Sequence, residues 1–187
     1  PLGRAEWITV FGEFTGRREL ASTLFDSISN EYNRAKALVS GVEKRPEVML
    51  NAPWQDSWFV PGDRSYMVRL LEDAGGNYAC RGVDSDQSRP ISTETAFVAA
   101  SQSDFWLSPG TVTSLAELNA MNPRFGSIPP VRNGNVYNNN ARTTPEGGSD
   151  FWESGSADPD RTLKDLIHIL HPELLPDRTL YYFRHLQ

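Results

Sequence analysis

The sequence predicts an α/β fold, a three-layer sandwich lobe with a largely parallel sheet, preceded by a long helix. From residue 46 onward, short apolar runs bounded by turn residues alternate with amphipathic segments, the signature of strand–helix–strand units. Ahead of them, a sustained apolar stripe runs from Arg17 to about Val42. Hydrophobic residues make up 39% of the 187 and aromatics 11%, enough to bury a real core and to argue against global disorder.

Residues 4–15 place Trp7, Val10, Phe11 and Phe14 at helical spacing, and Gly16 marks a break. The stripe that follows is Leu20, Leu24, Ile28, Tyr32, Ala35 and Val39, with most charges off it. One stripe implies one buried side, so this helix is expected to pack along a body rather than through its centre. Lys44-Arg45-Pro46 ends the pattern, and Glu47–Leu50 reads as a short buried strand. A tryptophan-rich loop, residues 51–58, leads into a second extended piece, Trp58-Phe59-Val60, closed by Pro61-Gly62. Ser65 is placed to cap a helix carrying Met67, Leu70, Leu71 and Ala74, and Gly75-Gly76 to end it. Residues 82–92 are polar and turn-prone, and 93–100 form a short helix. A strand over 104–107, a helix through Leu115, Leu118 and Met121, and a turn at Asn133-Gly134 feeding a strand to Tyr137 follow. After a polar loop, 138–149, and Asp150-Phe151-Trp152-Glu153 comes a last helix, about Pro159 to Leu170, and an extended segment over 179–186. In such a fold ligands gather at the carboxyl ends of the strands. Segments 51–59, 108–111 and 138–153 are the candidates for that edge.

The charge balance, 18 Lys+Arg against 24 Asp+Glu, gives −6 and argues against a nucleic-acid partner, which needs a cationic face. The single cysteine, Cys80, excludes an intrachain disulfide framework and any multi-cysteine metal site, and a buried inert thiol is its expected state. No apolar run approaches the ~20 residues that span a bilayer. The chain opens at Pro1 without a signal-peptide pattern and enters a helix almost at once. It therefore reads as a processed or excised piece of a larger protein.

Catalytic motifs are sparse. His168, His171 and Glu173 could hold a divalent ion, but Pro172 interrupts the geometry and a structural role is favoured. There is no Gly-x-Ser-x-Gly elbow and neither glycine-rich phosphate loop, so no cofactor is implied. Asp56, Asp150 and Glu153 could supply a glycosidase carboxylate pair, a weak reading in a chain with many acids. The tryptophans say more. Trp54, Trp58 and Trp152 lie in or beside polar loops, where each is either a packing anchor for its own loop or the floor of a ligand site. Trp106, within a strand, is core. Asp150 and Glu153 add polar handles beside Trp152.

Taken together, several segments resemble periplasmic substrate-binding proteins of the helical-backbone class, which serve ABC importers for cobalamin, haem and ferric siderophores. They are Pro1–Trp7, the long helix, Lys44–Val48 with its tryptophan loop, Val60-Pro61-Gly62, Tyr66-Met67 with Asp73–Gly76, Ser103–Leu107, Val131–Tyr137 and Ser149–Trp152. The resemblance covers nearly the whole chain and implies two α/β lobes joined by one rigid helix, with ligand in the cleft between them. Residues 1–45 would be the connecting segment and 46–187 the C-terminal lobe, with the N-terminal lobe lying outside this chain. It implies a metal-chelate ligand (siderophore, haem or corrinoid), an inner-membrane ABC permease as partner, a periplasmic, lipid-anchored or secreted full-length protein, and no catalysis. Trp58 falls where cobalamin-binding relatives place an aromatic contact, and Asp150, beside Trp152, matches their cleft carboxylate. Asp63 is the nearest match to the acidic residue that docks on the permease, one position out of register. Two other readings compete. A tetrapyrrole chelatase would need His168 or His185 in the cleft beside a carboxylate, and a lobe kept for protein–protein interaction would expose an apolar patch on the first two helices.

Overall fold

The computed structural model describes residues 1–55 and 57–187. Three helices come first: α1 (Leu2–Ala5), α2 (Trp7–Phe14) and α3 (Arg18–Leu38). The body then runs β1 (Glu47–Leu50), β2 (Pro53–Trp54), β3 (Ser57–Val60), α4 (Tyr66–Asp73), β4 (Asn77–Tyr78), β5 (Arg89–Ser92), α5 (Thr93–Ser101) and β6 (Phe105–Leu107). It continues through α6 (Leu115–Met121), α7 (Pro129–Arg132), β7 (Val136–Asn138), α8 (Ser154–Ala157), α9 (Pro159–Leu170) and β8 (Arg184–His185). None of these helices is long and apolar enough to cross a membrane.

The main sheet has the order β4-β1-β6-β7-β8. Its first four strands are parallel, with Met49 opposite Trp106 and Trp106 opposite Val136, and β8 closes it antiparallel to β7. Numbered along the chain within this sheet, the order is 2-1-3-4-5, a doubly wound arrangement whose switch point lies between β1 and β6. Val48, Met49 and Leu50 are all buried, as are Trp106 and Leu107. Successive strand residues face opposite sides, so both faces of the sheet are covered by helices, as a parallel sheet requires. The expected sandwich stands.

Three local expectations are corrected. The segment 82–92 is not all turn: β5 pairs antiparallel with β3, and β2 pairs with β3 on the other side, making a second, three-stranded sheet. Pro53 and Pro90 sit in its two outer strands, where a missing N–H costs no ladder bond. The long helix ends at Leu38, earlier than Val42. Its stripe is buried only in the second half: Tyr32, Ala35 and Val39 are inside, whereas Leu20 is 63% and Leu24 44% exposed.

The buried half of α3 is fixed by charge as well as packing. Tyr32 donates to Asp73 Oδ2 at 2.6 Å, Lys36 pairs with Asp73 Oδ1 at 2.6 Å, and Lys164 of α9 pairs with Glu31 at 2.8 Å. The exposed half lies against α2 instead. Gly12 makes that approach possible, since a Cβ there would collide with Ala21 Cβ.

Candidate functional site

The carboxyl ends of the parallel strands are built from unusual backbone. Asn51 (φ 64°), Gln55 (φ 56°) and Ser108 (φ 57°) are left-handed without being glycine. Asn51 and Ser108 directly follow β1 and β6, the two strands of the switch point, and Gln55 lies in the β2–β3 hairpin above them. Non-glycine residues hold this conformation at a cost and do so where surroundings enforce it, which is a recurrent property of binding edges. Here two indoles enforce it. Trp106 Nε1 donates to Asn51 O at 2.6 Å and Trp58 Nε1 to Leu50 O at 3.0 Å, while Asn51 Nδ2 reaches Phe59 O at 2.9 Å.

Two clefts flank this point. One, of about 520 Å³, lies under the hairpin between Pro53, Gln55, Glu94 and Met121. The other, of about 470 Å³, lies between the loop after β6 and the loops after β7, with Thr111, Asn139, Asn140, Ser149, Trp152 and Arg184 on its walls. Each is large enough for a substantial part of a drug-sized ligand. The asparagine run that ends β7 shapes the second cleft. Asn138 Nδ2 donates to Gly110 O and Val112 O, and Asn140 Nδ2 to Thr111 O and Val112 O, so the run clamps the loop after β6. Ser149 Oγ donates to Asn139 O and pins the far wall.

The sequence-expected site residues divide. Trp152 lines the second cleft, held edge-on by Phe151 at a 4.7 Å centroid separation. Trp54 is exposed on the hairpin but belongs to neither cleft wall. Trp58 is corrected: it is 0% exposed and packs against Trp106 and Phe125, so it anchors the edge from beneath and touches no ligand in this conformation. Asp150 is engaged by Arg142 Nε at 2.9 Å, and that hydrogen bond holds its carboxyl below the ordinary range. Glu153 is exposed beyond Trp152. Asp63 is half-buried, with both carboxylate oxygens accepting from Gly82 N–H at 3.2 and 2.9 Å, so it ties the loop before α4 to the loop after β4. Asp56, the third acid of the carboxylate-pair reading, lies outside the described residues. Residue patterns did not single out Asn139, Asn140, Ser108 or Arg184. The run of three asparagines ending an apolar strand was the available signal.

The histidines sit elsewhere. His185 meets Gly134 O, ahead of β7, and His171 meets Gly75 O. His171 also lines a cavity with Lys44, Pro46, Asp104 and Asn135, residues that precede β1, β6 and β7. His168 Nδ1 is bonded to Leu175 O. All three therefore lie away from the carboxyl edge. Among the described residues no group of three or more His, Cys, Asp or Glu is placed to hold a metal ion. Cys80 is buried with its sulfur 3.7 Å from Met49 Sδ, and burial pushes its thiol pKa up.

Comparison with known proteins agrees with this geometry. The chain is 27% identical over 186 residues to an uncharacterised lipoprotein of Methanocaldococcus jannaschii, covering 98% of this chain and 42% of that protein. Among solved structures it is similar to a TroA-like periplasmic binding protein from Veillonella parvula (TM-score 0.70, 16% identity, 100% of this chain and 62% of that one). It is also similar to a periplasmic haem-binding protein from Pseudomonas aeruginosa (0.67, 18%, 92% and 61%). A third is a possible iron-binding periplasmic solute-binding protein from Staphylococcus epidermidis (0.67, 17%, 90% and 61%). The chain thus spans less than two thirds of each relative's length. The family model described as periplasmic binding protein matches residues 2–143, and the chain belongs to that family.

Proposed function

We propose that this chain is the C-terminal lobe and connecting helix of a solute-binding protein that captures a metal chelate and delivers it to an ABC permease. The observation that carries the reading is the strained carboxyl edge at the β1/β6 switch point, opening on two clefts of ligand size. Two further features support it. The exposed apolar face of α2 and the first half of α3, with Trp7, Phe11, Phe14 and Leu20, suits a second lobe seated on the helix. The solved relatives named above are described as iron- or haem-binding or as TroA-like. The chelatase reading required His168 or His185 in the cleft, and neither is there.

In this function Trp152 offers rigid apolar contact on the cleft wall and Trp54 on the exposed hairpin outside it, Asp150 and Glu153 stand at the rim, and the loop that Asp63 organises faces the permease. In that loop Asp84 and Asp86 are exposed carboxylates, Asp84 lying 3.3 Å from Arg64. The protein works in the periplasm, lipid-anchored or secreted. Calorimetric titration with haemin, a ferric siderophore and cyanocobalamin tests the reading. One of the three should bind saturably to the two-lobed protein, and more than about tenfold more weakly to this chain alone, because a single lobe covers only part of the ligand. No binding by either protein, or equally tight binding by both, overturns it.

A further inference from the structure

The described side chains hold four buried polar atoms without a partner, and three of them are at the carboxyl edge: Ser108 Oγ, Asn139 Nδ2 and Asn140 Oδ1. A buried group left unbonded is costly, and native structures keep such groups mainly where a ligand or water completes them. Asn139 and Asn140 are only 5% and 8% exposed, and both border the cleft between the β6 and β7 loops. Turning Asn139 Nδ2 into that cleft breaks no hydrogen bond that it makes.

The charge of this cleft is one-sided. Among the described residues Arg184 is the only ionisable side chain on its walls. Its one hydrogen bond is a long one, from Nη2 to Asn140 O at 3.4 Å, and it has no carboxylate within ion-pairing distance among the described residues. Glu117, which feels the charge of Arg184, is already engaged by Thr113 N at 2.7 Å and Thr113 Oγ1 at 3.0 Å. The remaining polar groups, Thr111, Thr143 and Ser149 among them, are neutral. Of the two acids flanking Trp152, Asp150 is taken up by Arg142, and Glu153 is exposed and off the cleft walls.

We propose that this cleft is an oxyanion subsite, in which the Arg184 guanidinium and the Asn139 amide hold a carboxylate or phenolate oxygen of the chelate. The assignment rests on the chelate-binding reading and narrows it to anionic chelates. A planar guanidinium presents paired N–H donors to such oxygens, and Trp152 forms an apolar wall beside them. A ligand edged only with neutral amides would leave the guanidinium unmatched.

Matched pairs of ligands test the subsite on the unmodified chain. Haemin is compared with its dimethyl ester, and ferric enterobactin, a trianionic tris-catecholate, with cationic ferrioxamine B. Calorimetry and the side-chain signals of Asn139 and Arg184 in ¹H–¹⁵N spectra are the readouts. In whichever pair binds, the anionic member should be stronger by roughly tenfold to a hundredfold, the worth of a hydrogen bond to a charged group. It should also shift both side-chain signals. The pair that responds distinguishes porphyrin carboxylates from catecholates. Arg184→Gln should erase the preference, Arg184→Lys should keep part of it, and the exposed Arg132→Gln should leave it unchanged. Saturable binding with equal affinity within a pair, or with both signals unmoved, overturns the subsite but leaves chelate capture standing. Failure of all four ligands to bind this chain overturns the subsite, whereas chelate capture is overturned only if the two-lobed protein binds none of its chelates either.

Discussion

Asp165 is fully buried on α9 and fully used. Arg178 Nε and Nη2 reach Oδ1 at 2.9 and 2.7 Å, and the backbone N–H groups of Tyr181 and Tyr182 reach Oδ2 at 2.8 and 2.7 Å. It fastens the segment leading into β8, and hence Arg184, to the last helix. Asp165→Ala leaves a half-buried guanidinium without its carboxylate and two backbone N–H groups unmatched, and should cost about 3 kcal/mol in urea denaturation. Glu13→Ala, which removes a surface pair with Arg18, should stay within about 0.5 kcal/mol. Buried and partly buried tyrosines, Tyr66 and Tyr182 among them, give the fold an alkaline limit. Burial pushes both Tyr66 and Tyr182 up to about 12, against an ordinary value of 10.0. Their raised values mean that the folded state holds protons which the unfolded state releases first. Their contribution to stability should therefore be constant below pH 10 and be lost between pH 10 and 12. Thermal melts across that range, with absorbance at 295 nm reporting phenolate, provide the check, and stability unchanged from pH 9 to 12 would contradict it.

Individual elements differ in how far they could be read from sequence. The runs Glu47–Leu50 and Phe105–Leu107 were legible as buried strands because both faces are covered and the apolar run is continuous. The last helix was legible from the spacing of Leu163, Leu166, Ile167 and Leu170. Of the second sheet only β3 was legible; β2 and β5 were not, because they carry Pro53 and Pro90 and neither composition nor alternation marks them. The inward turn of Trp58 was hidden for a related reason. A tryptophan in a polar loop has no periodicity to say which side it faces, and only the bond to Leu50 O settles the matter. The arginine and asparagines of the proposed oxyanion subsite meet through strand pairing, since Asn138 lies opposite Arg184 across β7 and β8. That register is not written in either segment. The divided burial of α3 has a direct consequence. In hydrogen exchange, amides over 31–38, held by Asp73 and Lys164, should outlast those over 20–28 by at least about tenfold, because opening free energy follows local packing. Uniform protection along α3 would contradict the divided helix. Gly12→Val should force α2 away from Ala21 and lower the protection of α2, while residues 47–50 keep theirs.

At the scale of the molecule, the doubly wound sheet sets its two edges to different work. The amino edge holds the histidines in hydrogen bonds to backbone carbonyls, and the carboxyl edge holds the strained turns, the unpartnered amides, Arg184 and both clefts flanking the switch point. Chelate capture at the carboxyl edge is the reading that we propose from family membership and this polarity. A ¹H–¹⁵N titration of the chain with haemin and with ferric enterobactin maps the bound face residue by residue and remains informative at weak affinity. The account predicts that the bound chelate perturbs residues 51–55, 108–113 and 138–152 and leaves Lys44, Asn135 and His171 unmoved. Perturbations centred on the histidines and the amino-edge cavity would contradict it.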